Sequence, residues 1–190
     1  MHVNMTRCIK LFCLSLFVIF SINVDARKTS NSKNRMVLVD AIILHAIGGP
    51  YCGANKIRYS GAKGNAKRWY RFFEDHPVLG VHYIIDREGL VISQISDSKV
   101  ANHTLGWNEN SIGIELVNNG DHQDEYSGRQ MKALLKLVKG LRVKYPLITK
   151  KRVLRHSDVD TRMLNCVGEA FKRKQDPGDR FDYKALLNGL

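Results

Sequence analysis

Val37-Leu-Val-Asp-Ala-Ile-Ile-Leu-His45 is a β-branched, nearly all apolar run, and Gly48-Gly-Pro50 closes it shortly afterwards. Such a run predicts a strand buried inside a sheet, and the Gly-Gly-Pro turn predicts where that strand ends. Because successive side chains of a strand point to opposite faces, His45 lies on the same side as Ala41 and Ile43. A histidine at the end of a buried strand is well placed to face a cleft. The alternative is a core histidine with a hydrogen-bonded ring.

A second strand is predicted over Ser111-Ile-Gly-Ile-Glu-Leu-Val117, and it carries one carboxylate. Alternation puts Gly113 and Glu115 on one face of this strand and the two isoleucines on the other. A carboxylate in such a strand is costly unless it meets a cation, a metal or hydrogen-bond donors. The neighbouring glycine leaves room for a close ligand. The alternative is a solvated glutamate on a wet face of the sheet.

The rest of the chain mixes helices and strands. The clearest helix runs from Ser127 to Tyr145, where Ser127 and Gln130 match a capping box and apolar residues recur on one face. A loop is predicted over Tyr51–Asn65, which is rich in Gly, Lys and Asn. The other predicted elements are a helix over 66–75, a hairpin of 81–85 with 90–95, a strand over 153–155 and a helix over 181–187. We therefore predict the fold class α/β, one domain with a central mixed β-sheet flanked by α-helices.

The N-terminal region has the features of a secretory signal peptide. An apolar run from Ile9 to Ile22 follows Arg7, and Val24-Asp-Ala26 supplies small residues before a cleavage point. We predict a signal peptide over 1–26, a flexible leader over 27–36 and a folded domain over 37–190. The expected protein is exported, periplasmic or secreted, without stable membrane insertion once the signal is removed. The alternative is an uncleaved N-terminal anchor, since the apolar run has a marginal length.

The composition is strongly basic, with 30 Lys and Arg against 18 Asp and Glu and a formal net charge of +12. Such a charge attracts polyanions such as nucleic acid, anionic membranes or acidic cell-wall polymers, but it serves solubility equally well. Export and the lack of a recognisable nucleic-acid-binding motif argue against a nucleic-acid partner.

Removal of the signal peptide would leave two cysteines, Cys52 and Cys166. An export signal together with two cysteines favours one disulfide bond in an oxidising compartment. The alternative is two free or metal-binding thiols, and a free thiol near a histidine would suit a cysteine hydrolase.

Further candidates for chemistry lie in His156-Ser-Asp-Val-Asp160 and Lys174-Gln-Asp-Pro-Gly178. Imidazole and carboxylate groups can supply a three-ligand zinc site that leaves a fourth position for water. A nearby carboxylate can accept the proton of that water, and a lysine can stabilise an oxyanion. The spacing is too wide for the short zinc motifs, and Asp-Pro-Gly alone is a turn signature. Composition therefore permits a metal hydrolase without establishing one.

Seven motifs together resemble one known family over about Val37 to Tyr183. They are Ile42-Ile-Leu-His-Ala46, Gly80-Val-His-Tyr-Ile-Ile-Asp-Arg-Glu-Gly89, Ala101-Asn-His-Thr104, Asn110-Ser-Ile-Gly-Ile-Glu-Leu-Val-Asn118, Gln130, Arg155-His-Ser-Asp158 and Lys174-Gln-Asp-Pro-Gly178. Each motif is weak alone, but their shared order resembles the type 2 N-acetylmuramoyl-L-alanine amidases. These enzymes share their fold with peptidoglycan recognition proteins and phage amidase-lysozymes.

The resemblance implies a peptidoglycan hydrolase with one catalytic zinc ion per chain. It carries the metal ligands onto His45, His156 and Asp176, the catalytic carboxylate onto Glu115 and the oxyanion-stabilising lysine onto Lys174. The bond cleaved would join the lactyl group of N-acetylmuramic acid to L-alanine of the stem peptide. The implied partner is peptidoglycan or a muropeptide, and we expect a monomer. The alternative is a recognition module that binds peptidoglycan without cutting it; such modules typically lack a zinc ligand.

Two departures from the family pattern bear on the site. Val81 stands where phage relatives place a functional tyrosine, which assigns the whole proton transfer to Glu115. Some relatives use a cysteine as third ligand, but Asp176 occupies that place here. The resemblance therefore favours pairing of Cys166 with Cys52 over metal binding by Cys166.

Substrate contacts are assigned to His103, Trp107 and Asn108, which precede the Glu115 strand. In this assignment His103 hydrogen-bonds the substrate near the metal, while Trp107 and Asn108 line the groove. Trp107 as a packing aromatic is the alternative. His82 is a further candidate for contact with a ligand, with a structural role as its alternative.

Overall fold

The computed structural model describes residues 32–190, so the predicted signal peptide lies outside the described residues. Besides one short 3₁₀ turn over 150–152, four helices and nine strands are assigned in this part of the chain. In chain order they are β1 (Ala41–Ala46), β2 (Gly49–Gly53), β3 (Lys56–Ser60), α1 (Ala66–Asp75), β4 (Tyr83–Ile85), β5 (Val91–Ser93), β6 (Ser111–Leu116), α2 (Gly128–Lys144), β7 (Val153–Arg155), α3 (His156–Val159), β8 (Met163–Cys166), β9 (Glu169–Lys172) and α4 (Tyr183–Gly189).

A five-stranded sheet with the order β5-β4-β6-β1-β7 forms the centre of the fold. β1 runs parallel to both β6 and β7, and β4 runs parallel to β6. Only β5 is antiparallel to its neighbour, β4, because a short hairpin joins the two. The predicted fold class, a mixed sheet flanked by helices, is confirmed.

The two faces of the sheet are covered by different helices. On one face, Ile42 and Leu44 of β1 pack in the larger core with α2 and α4. On the other face a smaller core includes Phe73 of α1 and Ile84 of β4. Because side chains alternate along a strand, the side chain of His45 lies on this second face, which α1 covers.

Helix α2 is fixed to the sheet through Gln130. Ser127 accepts a hydrogen bond from the backbone N–H of Gln130, as the predicted capping box requires. The amide group of Gln130 does not return to the cap. Instead its Nε2 donates to the carbonyl oxygens of Ile85 and Val117, both at 3.0 Å. The buried side chain thereby ties α2 to the ends of two parallel strands.

The prediction of a loop over Tyr51–Asn65 is wrong, since most of this segment forms the β2–β3 hairpin. Its two turn residues, Ala54 and Asn55, have φ values of 49° and 59°, as a tight hairpin turn requires. A second unpredicted hairpin, β8–β9, turns at Val167-Gly168. In both cases a short turn without the common Asn-Gly or Asp-Gly signal joins the strands.

The start of the first strand also differs from expectation. The sequence predicts that the first strand begins at Val37, but Val37 and Leu38 are 50% and 76% exposed and the strand begins at Ala41. Its neighbours pair with it only from that point. Residues 27–31 of the leader predicted over 27–36 lie outside the described residues. In its described part, the guanidinium of Arg35 donates hydrogen bonds to several backbone carbonyl oxygens. No helix within residues 32–190 has the length and apolarity to cross a membrane.

Candidate active site

The sheet brings three chemical groups to one edge. His45 and Glu115 occupy matching positions near the C-terminal ends of the parallel strands β1 and β6. His156 follows β7 directly and opens α3. Ligand and catalytic groups collect at this edge in open α/β sheets because all parallel strands end there. The backbone N–H of Ser157 donates to the carbonyl oxygen of Asp176 at 3.0 Å, which holds the C-terminal segment against α3.

His45, His156 and Asp176 converge through three polar atoms. The two Nδ1 atoms lie 2.9 Å apart, and Oδ2 of Asp176 lies 2.9 Å from Nδ1 of His156 and 3.4 Å from Nδ1 of His45. All three side chains are buried. Within residues 32–190 this is the group of histidine, cysteine and carboxylate side chains placed to hold a metal ion.

The spacing and chemistry of these atoms fit a small divalent ion. Tetrahedral zinc with bonds of about 2.0–2.1 Å to nitrogen and oxygen places its ligand atoms about 3.3 Å apart. The observed separations of 2.9 to 3.4 Å bracket that value. Three protein ligands would leave a fourth position for water or substrate, as catalytic sites do.

The protonation states of His45 and Asp176 also suit metal binding. Burial, together with the neighbouring His156, lowers the pKa of His45 to about 4. Burial alone would raise the pKa of Asp176, but the two histidines hold it well below its usual value. At neutral pH His45 is therefore neutral and Asp176 is ionised. These are the forms that bind a metal.

Glu115 lies in the same cleft with an unsatisfied carboxylate. Its Oε2 is buried and has no hydrogen-bond partner among the described residues. Burial, reinforced by the charge of Asp176, raises the pKa of Glu115 to about 8, while Lys174 opposes the shift. A carboxylate whose pKa lies near neutrality can both accept and release a proton. Lys174 lines the same cleft.

The cleft over these groups has a volume of about 410 Å³ and one aromatic wall. Trp69 and Phe72 of α1 line this wall, and their rings meet edge to face with centroids 5.3 Å apart. Sequence reasoning missed both residues. The available signal was the amphipathic pattern of α1, which shows aromatic residues on one face but not which ones remain open to a cleft.

The predicted substrate residues have other neighbours. His103 packs behind His45, with Nδ1 3.0 Å from Nε2 of His45. The ring of Trp107 lies 4.9 Å from the guanidinium carbon of Arg152 in a cation–π contact. Oδ1 of Asn108 accepts hydrogen bonds from the backbone N–H groups of His103 and Thr104. The structure therefore brings His103 to the site and places Trp107 and Asn108 in the loop that supports it.

His82 has the structural surroundings that the sequence offered as its alternative. Its Nδ1 accepts a hydrogen bond from the N–H of Gly113 at 2.9 Å, and its side chain is fully buried. Burial lowers the pKa of His82 to about 4, with the nearby Arg35 contributing. His82 is therefore neutral at pH 7.

Cys52 and Cys166 form a disulfide bond, which confirms the predicted pairing. The bond joins the β2–β3 hairpin to the β8–β9 hairpin. Because both sulfur atoms are in this bond, neither cysteine is a free nucleophile or the third metal ligand. The alternatives of a cysteine hydrolase and of Cys166 as a ligand are contradicted.

Comparison with known proteins places the chain in a family. The profile of the N-acetylmuramoyl-L-alanine amidase family matches residues 33–179. The endolysin of Escherichia phage T7 is 30% identical over 110 residues, covering 56% of this chain and 68% of the endolysin. The 1,6-anhydro-N-acetylmuramyl-L-alanine amidase AmpD of Haemophilus influenzae is 28% identical over 120 residues, covering 59% of each chain. AmpDh3 of Pseudomonas aeruginosa, solved in complex with anhydromuramic pentapeptide, shares the fold with a TM-score of 0.61 at 20% identity, covering 90% of this chain and 66% of that one. The chain thus belongs to the N-acetylmuramoyl-L-alanine amidase family.

Proposed function

We propose that the protein is an exported, zinc-dependent amidase that acts on peptidoglycan or muropeptides. It hydrolyses the amide bond between the lactyl group of N-acetylmuramic acid and L-alanine of the stem peptide. The observation that carries this proposal is the buried cluster of His45, His156 and Asp176 with Glu115 and Lys174 in the same cleft. The disulfide is consistent with an oxidising compartment outside the cytoplasm.

His45, His156 and Asp176 would hold the zinc ion through Nδ1, Nδ1 and Oδ2, the three atoms that converge. When bound there, zinc supplies a Lewis acid for the amide carbonyl and activates a water molecule at neutral pH. The three side chains are buried, and the lowered pKa values of His45 and Asp176 keep these two in the forms that bind a metal.

Glu115 is the proton carrier in this proposal. Its unpartnered Oε2 can accept the proton of the attacking water and later release it to the leaving amine of L-alanine. A pKa of about 8 suits both steps, although a bound cation would lower it. Since Val81 lines the cleft where phage relatives have a tyrosine, no second proton carrier is assigned.

Lys174 stabilises negative charge in the proposal. It lies two positions before Asp176 and lines the cleft near Glu115, whose pKa it lowers. An ammonium group placed there can stabilise the oxyanion that develops on the amide oxygen. It also favours the ionised form of Glu115 that the first proton transfer needs.

The test is a product assay with metal control. Purified protein is incubated with sacculi and, separately, with soluble muropeptides, and the products are analysed by mass spectrometry. We expect stem peptides with a free L-alanine amino group, loss of activity on chelation and recovery with zinc. Thiol alkylation should have no effect. Peptidoglycan binding without product would instead support a non-catalytic recognition module, and activity that survives full metal removal would contradict the proposal.

A further inference from the structure

The residues behind His45 form a line of hydrogen bonds that leads away from the metal ligands. Nδ1 of His45 faces His156 and Asp176. On the other side of the ring, Nε2 of His45 lies 3.0 Å from Nδ1 of His103 and 3.3 Å from Oγ1 of Thr104. The rings of His45 and His103 meet edge to face, with centroids 5.1 Å apart. His45 thus has one nitrogen for a metal and the other for a protein partner.

The far end of this line determines where the hydrogens lie. Nε2 of His103 is 3.3 Å from Oγ of Ser111, and that oxygen is 2.6 Å from the carbonyl oxygen of Trp107. A carbonyl can only accept, so the Ser111 hydroxyl donates to it and accepts from the Nε2–H of His103. Nδ1 of His103 then carries no hydrogen, and it can accept from the Nε2–H of His45 and from the hydroxyl of Thr104, each 3.0 Å away. With the hydrogen on Nε2, Nδ1 of His45 carries none and can bind a metal.

The ring of His103 is also held in place from two sides. A Cβ atom at Gly113 would lie 2.6 Å from Cγ of His103, so only glycine leaves room for the ring here. On another side the ring of His82 meets His103 edge to face at 5.6 Å. His82 is itself fixed by the backbone N–H of Gly113. The backbone at Gly113 and the ring of His82 therefore limit movement of the His103 ring on two sides.

We propose that His103 is a positioning residue for His45: it accepts the Nε2–H hydrogen bond and so fixes the tautomer and orientation that present Nδ1 to zinc. The proposal rests on the zinc site of the proposed function. It differs from a substrate contact, because it concerns the affinity of the protein for its metal. Partners of this kind typically change metal affinity by about 10- to 100-fold when removed.

Two substitutions at one position separate this role from packing. In His103→Asn the side-chain oxygen replaces Nδ1 as acceptor but leaves space unfilled. His103→Leu fills the space but removes the acceptor. We expect the zinc Kd, measured by competition with a chromophoric chelator, to rise about 10- to 100-fold in His103→Leu and much less in His103→Asn. A packing role predicts the opposite order.

Gly113→Ala provides an independent variant, because the added methyl group would displace the His103 ring without touching a metal ligand. It should also raise the zinc Kd. His76→Asn and His76→Leu are matched controls, since Nδ1 of His76 accepts hydrogen bonds from the backbone N–H groups of Val78 and Leu79, away from the metal ligands. Neither control should change the zinc Kd. Thermal unfolding of each zinc-free variant identifies any variant that fails to fold. If His103→Leu or Gly113→Ala fails to fold, the zinc Kd of the other one tests the proposal.

Long-range ¹H–¹⁵N NMR correlations of the zinc-loaded protein supply a spectroscopic readout. We expect zinc on Nδ1 of His45 and a slowly exchanging hydrogen on its Nε2, with faster exchange in His103→Leu. Zinc on Nε2 of His45, or an unchanged Kd in folded His103→Leu, would overturn the positioning role alone. Failure of the unaltered protein to bind zinc would instead refute the proposed function.

Discussion

His45 and Glu115 are register partners on the neighbouring parallel strands β1 and β6. Partners in a parallel pair send their side chains to the same face of the sheet, so a metal ligand and a carboxylate emerge side by side. Each of the two strands has a neighbouring strand on both sides, so the hydrogen bonding of the sheet fixes the distance between the two residues. Groups held on regular elements are positioned more precisely than groups on loops.

Glu115→Gln should nearly abolish hydrolysis while zinc binding persists. The amide keeps the size of the side chain but cannot accept a proton, and general bases contribute about 10²- to 10⁴-fold to rate. Stem-peptide release and bound zinc should be measured on the same sample. Glu109→Gln, which removes a charge paired with Lys33 outside the cleft, is the matched control and should retain activity. Substantial activity in Glu115→Gln would refute its role as proton carrier.

Lys174→Met should lower kcat by about 10²- to 10³-fold, the usual effect of removing one group that stabilises an oxyanion. KM should change less, because the charge is needed mainly when the oxyanion forms. Lys172→Met removes an exposed charge two positions away on β9 and serves as control. A similar loss in both variants would point to general attraction of the anionic substrate rather than to oxyanion stabilisation.

Much of the site was predictable because its signals are local. An apolar strand ending in His45 and a carboxylate inside the strand of Glu115 both follow from period-two alternation. The Lys-x-Asp-Pro-Gly segment became informative only through its resemblance to a family. The contacts of the residues that surround the site were not predictable from the sequence. Whether Asn108 faces a substrate or holds the backbone of a loop depends on contacts between residues that are distant or irregular in the chain.

The zinc-free protein should lose stability as pH falls from about 6.5 to about 4. His82 is buried and its pKa is lowered from 6.5 to about 4, so the unfolded chain takes up a proton in this range before the native state does. The stabilisation is complete above pH 6.5 and is lost toward pH 4. It amounts to about 3 kcal/mol for a shift of this size. Urea unfolding at several pH values measures it.

His82→Asn is the matched variant for this pH dependence. Its side-chain oxygen can still accept from the N–H of Gly113, as Nδ1 of His82 does, but it does not titrate. We expect a shallower fall of the unfolding free energy with acid. If the unfolding free energy falls equally steeply with acid in the two proteins, other groups whose pKa is lowered, such as His45 and His103, account for the acid sensitivity.

Removing the disulfide should destabilise the fold by about 2–5 kcal/mol, because the bond closes a long loop in the unfolded chain. Cys52 and Cys166 are 114 positions apart. Urea unfolding of the unaltered protein with and without reductant should show this loss. In the double variant Cys52→Ala/Cys166→Ala the reductant should have no effect. Equal stability of the oxidised and reduced forms would show that hairpin packing alone holds the two segments together.

Arg35 connects the N-terminal segment to the loop that supports the active site. Its guanidinium lies 2.7 Å from Nε2 of His82, the ring that flanks His103. It also donates hydrogen bonds to four backbone carbonyl oxygens, those of Asp97, Asn108, Glu109 and Ser111. An arginine in the predicted leader is therefore part of the folded domain.

Arg35→Met should reduce the unfolding free energy by about 2–4 kcal/mol. Methionine fills similar space but has no donor, so partly buried carbonyl groups lose charge-assisted hydrogen bonds and remain unsatisfied. Lys33→Met, two positions earlier, removes only an exposed ion pair with Glu109 and should cost less than about 1 kcal/mol. Urea unfolding compares the two variants. Equal effects would mean that Arg35 acts through charge alone and that the carbonyl contacts contribute little. A larger loss in Arg35→Met would instead show that the N-terminal segment holds the supporting loop in place.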